Sequence, residues 1–416
     1  MFKSTPVRRL HTLLFESSLA GHGFDFIRLQ VPAFLEYGAV TLCTLPESLE
    51  NPVFLAFAEK FSSREFFVDA SVKKHYPAGW RNLWYGYSSL VRAVRKHKPD
   101  LVFITSGANF IKALSLFKAH WLAVRPSGCR VEVILFRVSG AYPSNSAKRR
   151  LKNRLETAFI ARSPVDKVHV SDILAFKYLL GKSSVCPDKI NMCPDPIEIF
   201  PEQTKNDVTC VRRELGVPTD GRLLGCAGVI DERKGIPQLL DAFAQAPLRG
   251  NDRLLLAGQM SPAIRELIST TYSGLHRLGR IICLDRFLSK DEFDLSLLAM
   301  DVVCTPYPCH QGPASILLHA AACHKPVLST SYGWLGWITE RFALGKICNV
   351  NDRAEFISAL VEILDSFQVY SRDDKVERLL QFHDWHNFSA HITAGARSLL
   401  GLDEKPLIKW GFVDRY

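Results

Sequence analysis

The chain has 416 residues, 47% of them hydrophobic and 23% charged, with a net charge of +10 and a sequence pI near 9.0. This composition excludes a disordered or low-complexity protein, and the length exceeds one comfortable core, so roughly two or three units are expected, two being the more economical. The basic balance favours anionic partners without choosing among nucleic acid, lipid head groups and phosphorylated substrates.

At the N-terminus, Met1 to Arg9 leads into a short strand instead of a signal-peptide apolar region. No stretch reaches the roughly 18 uninterrupted apolar residues of a spanning helix. The most apolar candidate, Phe110 to Val124, is broken by Lys112, Lys118 and His120. A cytoplasmic location is expected, with peripheral contact to an anionic membrane left open. The scattered cysteines include no C-x-x-C pair and read as buried thiols of a reduced compartment, not as a disulfide frame or zinc site.

The pattern then alternates. A strand at Thr12 to Glu16, a turn through Gly21-His22-Gly23, a helix at Phe24 to Tyr37 and a strand at Ala39 to Leu45 open the series. Helices follow near 80 to 97, 108 to 124 and 146 to 162, with strands at Asp100 to Thr105, Val131 to Val138 and Lys167 to Val170. Such a β-α-β series predicts a parallel sheet with helices on both faces. The helix near 146 to 162 carries Lys148, Arg149, Arg150, Lys152 and Arg154 beside Leu151 and Leu155. Both a solvated helix face and a contact with a membrane surface or anionic acceptor fit that pattern.

Around Cys193-Pro194-Asp195-Pro196 the prolines end a strand, and the polar stretch from Pro201 to Asp207 follows, which places a hinge there. The second series has strands near 223 to 228, 253 to 258, 280 to 284, 301 to 305, 326 to 330 and 346 to 350, with helices between them. Ser289 and Glu292 have capping-box spacing. The predicted fold class is α/β, with two doubly wound, Rossmann-like parallel-sheet domains facing a cleft. The first domain spans 1–196, completed by the C-terminal segment 390–416, and the second spans 197–389.

Two loops of the second series converge on one kind of ligand. Gly228 to Gly235, including Lys234, lies between a strand and a helix, and Gln311-Gly312-Pro313-Ala314 precedes the helix that carries His319. Pro313 suits a first helical turn, where its missing N–H has no intrahelical role. Strand ends opening into helix N-termini favour a phosphorylated ligand.

The ordered set of these motifs resembles the GT-B glycosyltransferases of the retaining family 4, or group 1. The resemblance covers most of the second series. Gly228, Lys234 and Gly235 match the family's glycine followed by a Lys-Gly pair, Leu254 to Gly258 match its strand ending in glycine, and Asp301 to Val327 match in outline. Cys193 to Pro196 resembles the family's hinge, and Asp384 to Phe388 the segment before a last helix that crosses back. The departures are Val229 where the family has an arginine, Gln311 and His319 where it has two glutamates, and the stretch Arg137 to Gly140 where it often has a histidine after a first-domain strand.

The resemblance implies a hexosyltransferase of polysaccharide biosynthesis. It would move a sugar, with retention at C1, from a nucleotide-diphosphate sugar to a glycan or lipid-linked acceptor. Lys234, Gln311 and His319 are the candidate catalytic residues. Gly228, Gly235, Gly258, Arg286, Gly312, Pro313 and Ala314 would bind the donor, and Gly21, His22 and Gly23 would lie on the acceptor side. Lys234 would neutralise the leaving diphosphate. Neither a metal nor a cofactor is implied, and no module for reading nucleic acid is present. The alternative is a catalytically degenerate GT-B protein that binds nucleotide or sugar as a partner subunit, and plain structural roles for Lys234, Gln311, His319 and Arg286 also fit the residues alone.

Overall fold

The structure is a computed structural model that describes residues 9–17, 19, 22–62, 64–73, 79–198, 207–371 and 373–414. Gly21 lies outside the described residues, as do 201–206 of the polar stretch after the hinge. The chain divides into two compact units, Met1–Pro196 with Trp385–Trp410 and Ile197–Asp384 with Gly411–Tyr416. Relative to the expected boundary at 389, the return to the first unit begins at Trp385, and the last residues go with the second.

In the first unit seven strands, β1 (Leu10–Phe15), β2 (Gly38–Cys43), β3 (Phe66–Asp69), β4 (Leu101–Ile104), β5 (Arg130–Leu135), β6 (Lys167–Val170) and β7 (Ile190–Met192), pair in parallel in the order β3-β2-β1-β4-β5-β6-β7. The inner strands read as continuous apolar runs because both faces are covered, and β4 is buried at every position. One face packs on Tyr87, Leu90, Val94 and Trp121, the other on Phe26, Phe34, Phe388 and Ile392. The edge strand β3 was not foreseen, being short and half open to water. The helix expected over 108 to 124 is broken at Phe117 into Ala108–Leu116 and Lys118–Val124. The break lets Phe117 stack on Tyr87 with ring centroids 4.7 Å apart.

The second unit holds β8 (Leu223–Ala227), β9 (Arg253–Ala257), β10 (Ile281–Leu284), β11 (Val302–Thr305), β12 (Val327–Thr330) and β13 (Gly345–Cys348), parallel in the order β10-β9-β8-β11-β12-β13. The chain winds outward from β8 to one side and from β11 to the other. The loops after these two strands therefore open at the switch point, where doubly wound sheets bind ligands. Ser289 and Glu292 form the capping box that their spacing predicts.

Two expectations need correction. The cysteines are not uniformly buried: Cys186, Cys210 and Cys309 are exposed on loops and a helix surface. Pro313 does not enter the helix, which begins at Ser315 with Ala314 as its cap. Among the described residues no helix is long and apolar enough to cross a membrane.

The C-terminal helix Trp385–Leu399 is seated on β5 by a buried polar chain. Glu132, almost wholly buried, meets Arg130 and accepts from His169 Nε2 at 2.8 Å; Asn191 lies 3.1 Å from His169 Nδ1 and 3.4 Å from His391 Nδ1. Burial pushes the Glu132 carboxyl up, but the hydrogen bond and charge of His169 together with Arg130 overcome it and hold the group below its ordinary value. Gly395 is required where the helix crosses: a Cβ there would lie 2.0 Å from Glu132 Oε1 and 2.8 Å from Arg130 Nε. Because Glu132 is pinned, it cannot swing away. Gly395→Ala should lower stability by about 2–4 kcal/mol in urea unfolding, as breaking a buried ion pair does, whereas Gly411→Ala, which meets nothing, should be silent.

Candidate functional site

The site is built on the loops after β8 and β11. The first leaves β8 at Gly228, makes a tight helical turn over Glu232–Lys234 whose start is capped by the Asp231 side chain, and enters the helix Ile236–Gln245 through Gly235. Gly235 has φ of 73°, and a Cβ on it would lie 2.0 Å from the Pro306 carbonyl oxygen of the second loop. The left-handed backbone and the close approach each demand glycine, and together they hold the two loops against one another. Gly258, with φ of 131°, closes the floor: its Cβ position would be 1.9 Å from the Gly228 carbonyl oxygen. The Gly228 and Gly258 amides are already donated, to Ala257 and Leu284, so both glycines shape the floor through backbone approach.

Lys234 is brought inside. It is 8% exposed, its ammonium donates to the Ala227 carbonyl at 2.8 Å, and the Tyr307 ring centroid lies 5.7 Å away. A Cβ at Gly228 would sit 3.1 Å from Nζ, so glycine is also what leaves the ammonium its room. Burial, the largest influence, lowers the amine from its ordinary 10.5 to about 8, opposed by nearby Cys226 and Asp231. A group at about 8 is still largely protonated at neutral pH. Thus a positive charge is held at the switch point with little water around it.

The helix starts beside these loops are left open. Neither Gly235 at the head of Ile236–Gln245 nor Ala314 at the head of Ser315–Ala322 supplies a capping side chain. Elsewhere in this unit Ser261, Ser289, Asp352 and Asp373 bond first-turn amides. Uncapped amides at a helix N-terminus, with the favourable end of the helix dipole, suit an anion. Gly312 takes φ of 93° at the entrance to the second helix.

His319 stands on that second helix with its ring 5.6 Å from Phe293, edge to face, and Nδ1 3.8 Å from the buried Asp294 carboxylate. Asp294 also binds Lys290 Nζ at 2.8 Å. Sequence reasoning missed Phe293 as a site wall and Asp294 altogether. The signal was an aspartate on the same face as the buried Leu297 and Leu298. Gln311 is half-buried in the second loop and Val229 is 55% exposed. Arg286 is half exposed and pairs with Glu292, so its guanidinium is already committed to a carboxylate. In the first unit, His22 opens the helix His22–Leu35 and Gly23 follows within it.

A second titratable group lies in the first unit: Cys43, Asp69 and His97 offer ligand-type atoms within 4.8 Å of one another. Asp69 is already satisfied by Lys96 Nζ at 2.8 Å and His97 Nε2 at 2.6 Å. Against the upward push of burial, bonds from Lys96, Ser71 and His97 hold its carboxyl well below the usual range. Burial pushes the Cys43 thiol up to about 12. The group is a compensated ion pair beneath β2 and β3.

Residues 221–366 match the family described as glycosyl transferases, group 1. That stretch belongs to this family. The group 1 domain contains both loops of the site. The N-acetyl-alpha-D-glucosaminyl L-malate synthase of Bacillus anthracis is 23% identical over 166 residues, a match spanning 40% of this chain and 42% of that protein. HepE of Anabaena, solved with UDP and glucose, superposes with a TM-score of 0.67 at 16% identity, covering 94% of this chain and all of that one. The sucrose-phosphate synthase of Thermosynechococcus elongatus gives 0.69 at 17% identity over the same shares. At such identities these structures establish the fold, two Rossmann-like units of the GT-B architecture.

The buried ammonium has a direct signature. Because Lys234 binds its proton less tightly folded than unfolded, the unfolded chain holds more protons between about pH 8 and 10.5, and stability rises with pH across that window. The rise attributable to this group is about 3 kcal/mol. Because burial raises Cys226, Cys304 and other thiols, which oppose the rise in the same window, and lowers Lys189 alongside Lys234, chemical denaturation at pH 7.5 and 10.5 should show it as the difference between the wild type and Lys234→Met.

Proposed function

We propose that the chain is a glycosyltransferase that moves a hexosyl group from a nucleoside-diphosphate sugar to a glycan or lipid-linked acceptor, with retention at C1. The observation that carries this reading is the Lys234 ammonium, buried at the switch point of the group 1 domain beside two uncapped helix starts. The match of residues 221–366 and the UDP complex of HepE support a nucleotide sugar as donor.

In this reading the bond from C1 to the diphosphate breaks early, and negative charge accumulates on the leaving oxygens. Lys234 and the first-turn amides after Gly235 and Ala314 stabilise that charge in a site with little water, where one such donor is worth roughly 3 kcal/mol. Val229 supplies no cation at its position and Arg233 is exposed and paired with Asp231, so Lys234 is the buried cation of its loop. Gln311, with both donor and acceptor, holds a sugar hydroxyl. His319 presents its outer nitrogen to a ribose hydroxyl while Asp294, from the helix Lys290–Ala299, faces its Nδ1 and sets a carboxylate behind the position where the resemblance leads one to expect a glutamate. Gly21, His22 and Gly23 remain assigned to the acceptor.

Pure protein incubated with UDP-, GDP- and ADP-sugars together with a glycan and lipid extract that supplies the acceptor should release the nucleoside diphosphate from one of them, and that diphosphate should raise the melting temperature. Lys234→Ala should lower turnover by about 100- to 1,000-fold. Asp294→Asn should weaken donor affinity with a smaller effect on turnover. Stabilisation by a diphosphate without release from any sugar would replace this reading with that of a catalytically degenerate binding subunit. Neither stabilisation nor release would overturn both.

A further inference from the structure

The helix Ala147–Arg162 in the first unit plays no part in the site described above, yet its surface is unusual. Leu151 and Leu155 are 60% and 51% exposed, one turn apart on the outward side, with Lys148 and Arg162 on the same stripe. Lys152 and Arg154 flank that stripe, and Arg149 and Arg150 lie further round the exposed first turns, about 130° from its centre. Among the described residues, none of these six cations forms an ion pair. The helix holds a single carboxylate, Glu156, and it is occupied by the Ser139 amide at 3.0 Å. A merely solvated face would be expected to intersperse carboxylates among such cations and to keep paired leucines off its centre.

Beside the stripe lies a cavity of about 380 Å³ lined by Arg154, Thr157, Arg162, Tyr178, Lys182 and Ser184. Lys182 Nζ sits 4.3 Å from the Tyr178 ring centroid, and Tyr178 shares a 3.2 Å hydrogen bond with Thr157. Two guanidinium groups, an ammonium and hydroxyls around a concavity make a fitting cradle for a phosphate group. Leu180, on the helix Ile173–Leu180 that forms the cavity's other wall, is 40% exposed and extends the apolar surface.

We propose that this face docks on an anionic lipid bilayer, with Leu151 and Leu155 entering the boundary between head groups and acyl chains, and the neighbouring cavity receiving a lipid phosphate. Charge complementarity fixes the sign of the partner, and the central leucines fix its kind. A single-stranded nucleic acid would be met by aromatic stacking surfaces among the cations, and this stripe offers aliphatic ones. Cations around a shallow apolar ridge are the pattern of an element lying in a membrane interface. The proposal is independent of sugar transfer and is read without any donor.

Full-length protein should sediment with vesicles containing phosphatidylglycerol and stay in solution with pure phosphatidylcholine. Three variants separate the contributions: Leu151→Ser with Leu155→Ser; Lys148→Gln with Arg149→Gln, Arg150→Gln and Lys152→Gln; and Arg162→Gln with Lys182→Gln. All change exposed or rim positions, and unaltered melting curves will establish that each is folded. Every variant should reduce partitioning by about tenfold or more, since each interfacial cation contributes several-fold to binding. Lack of sedimentation, equal binding to both vesicle types, or binding that the leucine variant leaves unchanged would overturn the proposal. So would tighter capture by single-stranded RNA than by vesicles, lost with the cations but not with the leucines.

Discussion

A lysine ammonium withdrawn almost wholly from water needs compensation, and Lys234 has only part of it. One of its donors reaches the Ala227 carbonyl, and the face of Tyr307 lies within cation–π range. Among the described residues no carboxylate approaches Nζ within ion-pair distance. The surrounding backbone is shaped to this group: Gly228 leaves it space, Gly235 turns the chain so that the side chain reaches back to the end of β8, and Gly258 seats the floor against Gly228. A stability-seeking core would place methionine there. A partly compensated cation beside uncapped helix starts is instead an arrangement that an anion completes.

The topology explains why the charge falls where it does. β8 and β11 are neighbours in the sheet, and the chain winds away from them in opposite directions, so the loops that follow diverge and leave a crevice. The contact between Gly235 and Pro306 ties the two loops at their base. Above that tie, the helix starts at Ile236 and Ser315 and the wall formed by Phe293 and His319 belong to elements on either side of the switch. Asp294 adds negative charge behind His319, so the two missing glutamates leave the site short of carboxylates at its surface but not in its second layer.

Most of this architecture was legible in the sequence, because buried parallel strands write themselves as apolar runs and their connecting helices as periodic ones. The strands of the second unit begin and end within two residues of their expected places, and the capping box at Ser289 was read from spacing alone. Local chemistry also pointed to Lys234, Gly235 and Gly312 as loop residues at helix starts. What could not be read was set by distant contacts. The break at Phe117 depends on a ring offered by Tyr87, Pro313 stays outside its helix despite a favourable residue type, and β3 is an edge strand of only four residues, too short a run to stand out. The pairing of Arg286 with Glu292 and the approach of Asp294 to His319 join side chains from separate turns or helices, and sequence spacing encodes neither. The exposed Leu151 and Leu155 have the helical periodicity of a core face, and only the fold shows that this face looks outward.

The central claim is that the Lys234 ammonium receives the diphosphate of the donor, and calorimetry of proton exchange tests it most directly. With the free amine at about 8, bound diphosphate should hold the proton more tightly, so binding at pH 8.5 must draw protons from solution. Titrating the matching nucleoside diphosphate in buffers of different ionisation enthalpy should show an uptake of roughly half a proton or more per ligand, absent in Lys234→Met. Binding at full affinity without that uptake, in a wild type whose amine is shown to titrate near 8, would contradict the claim.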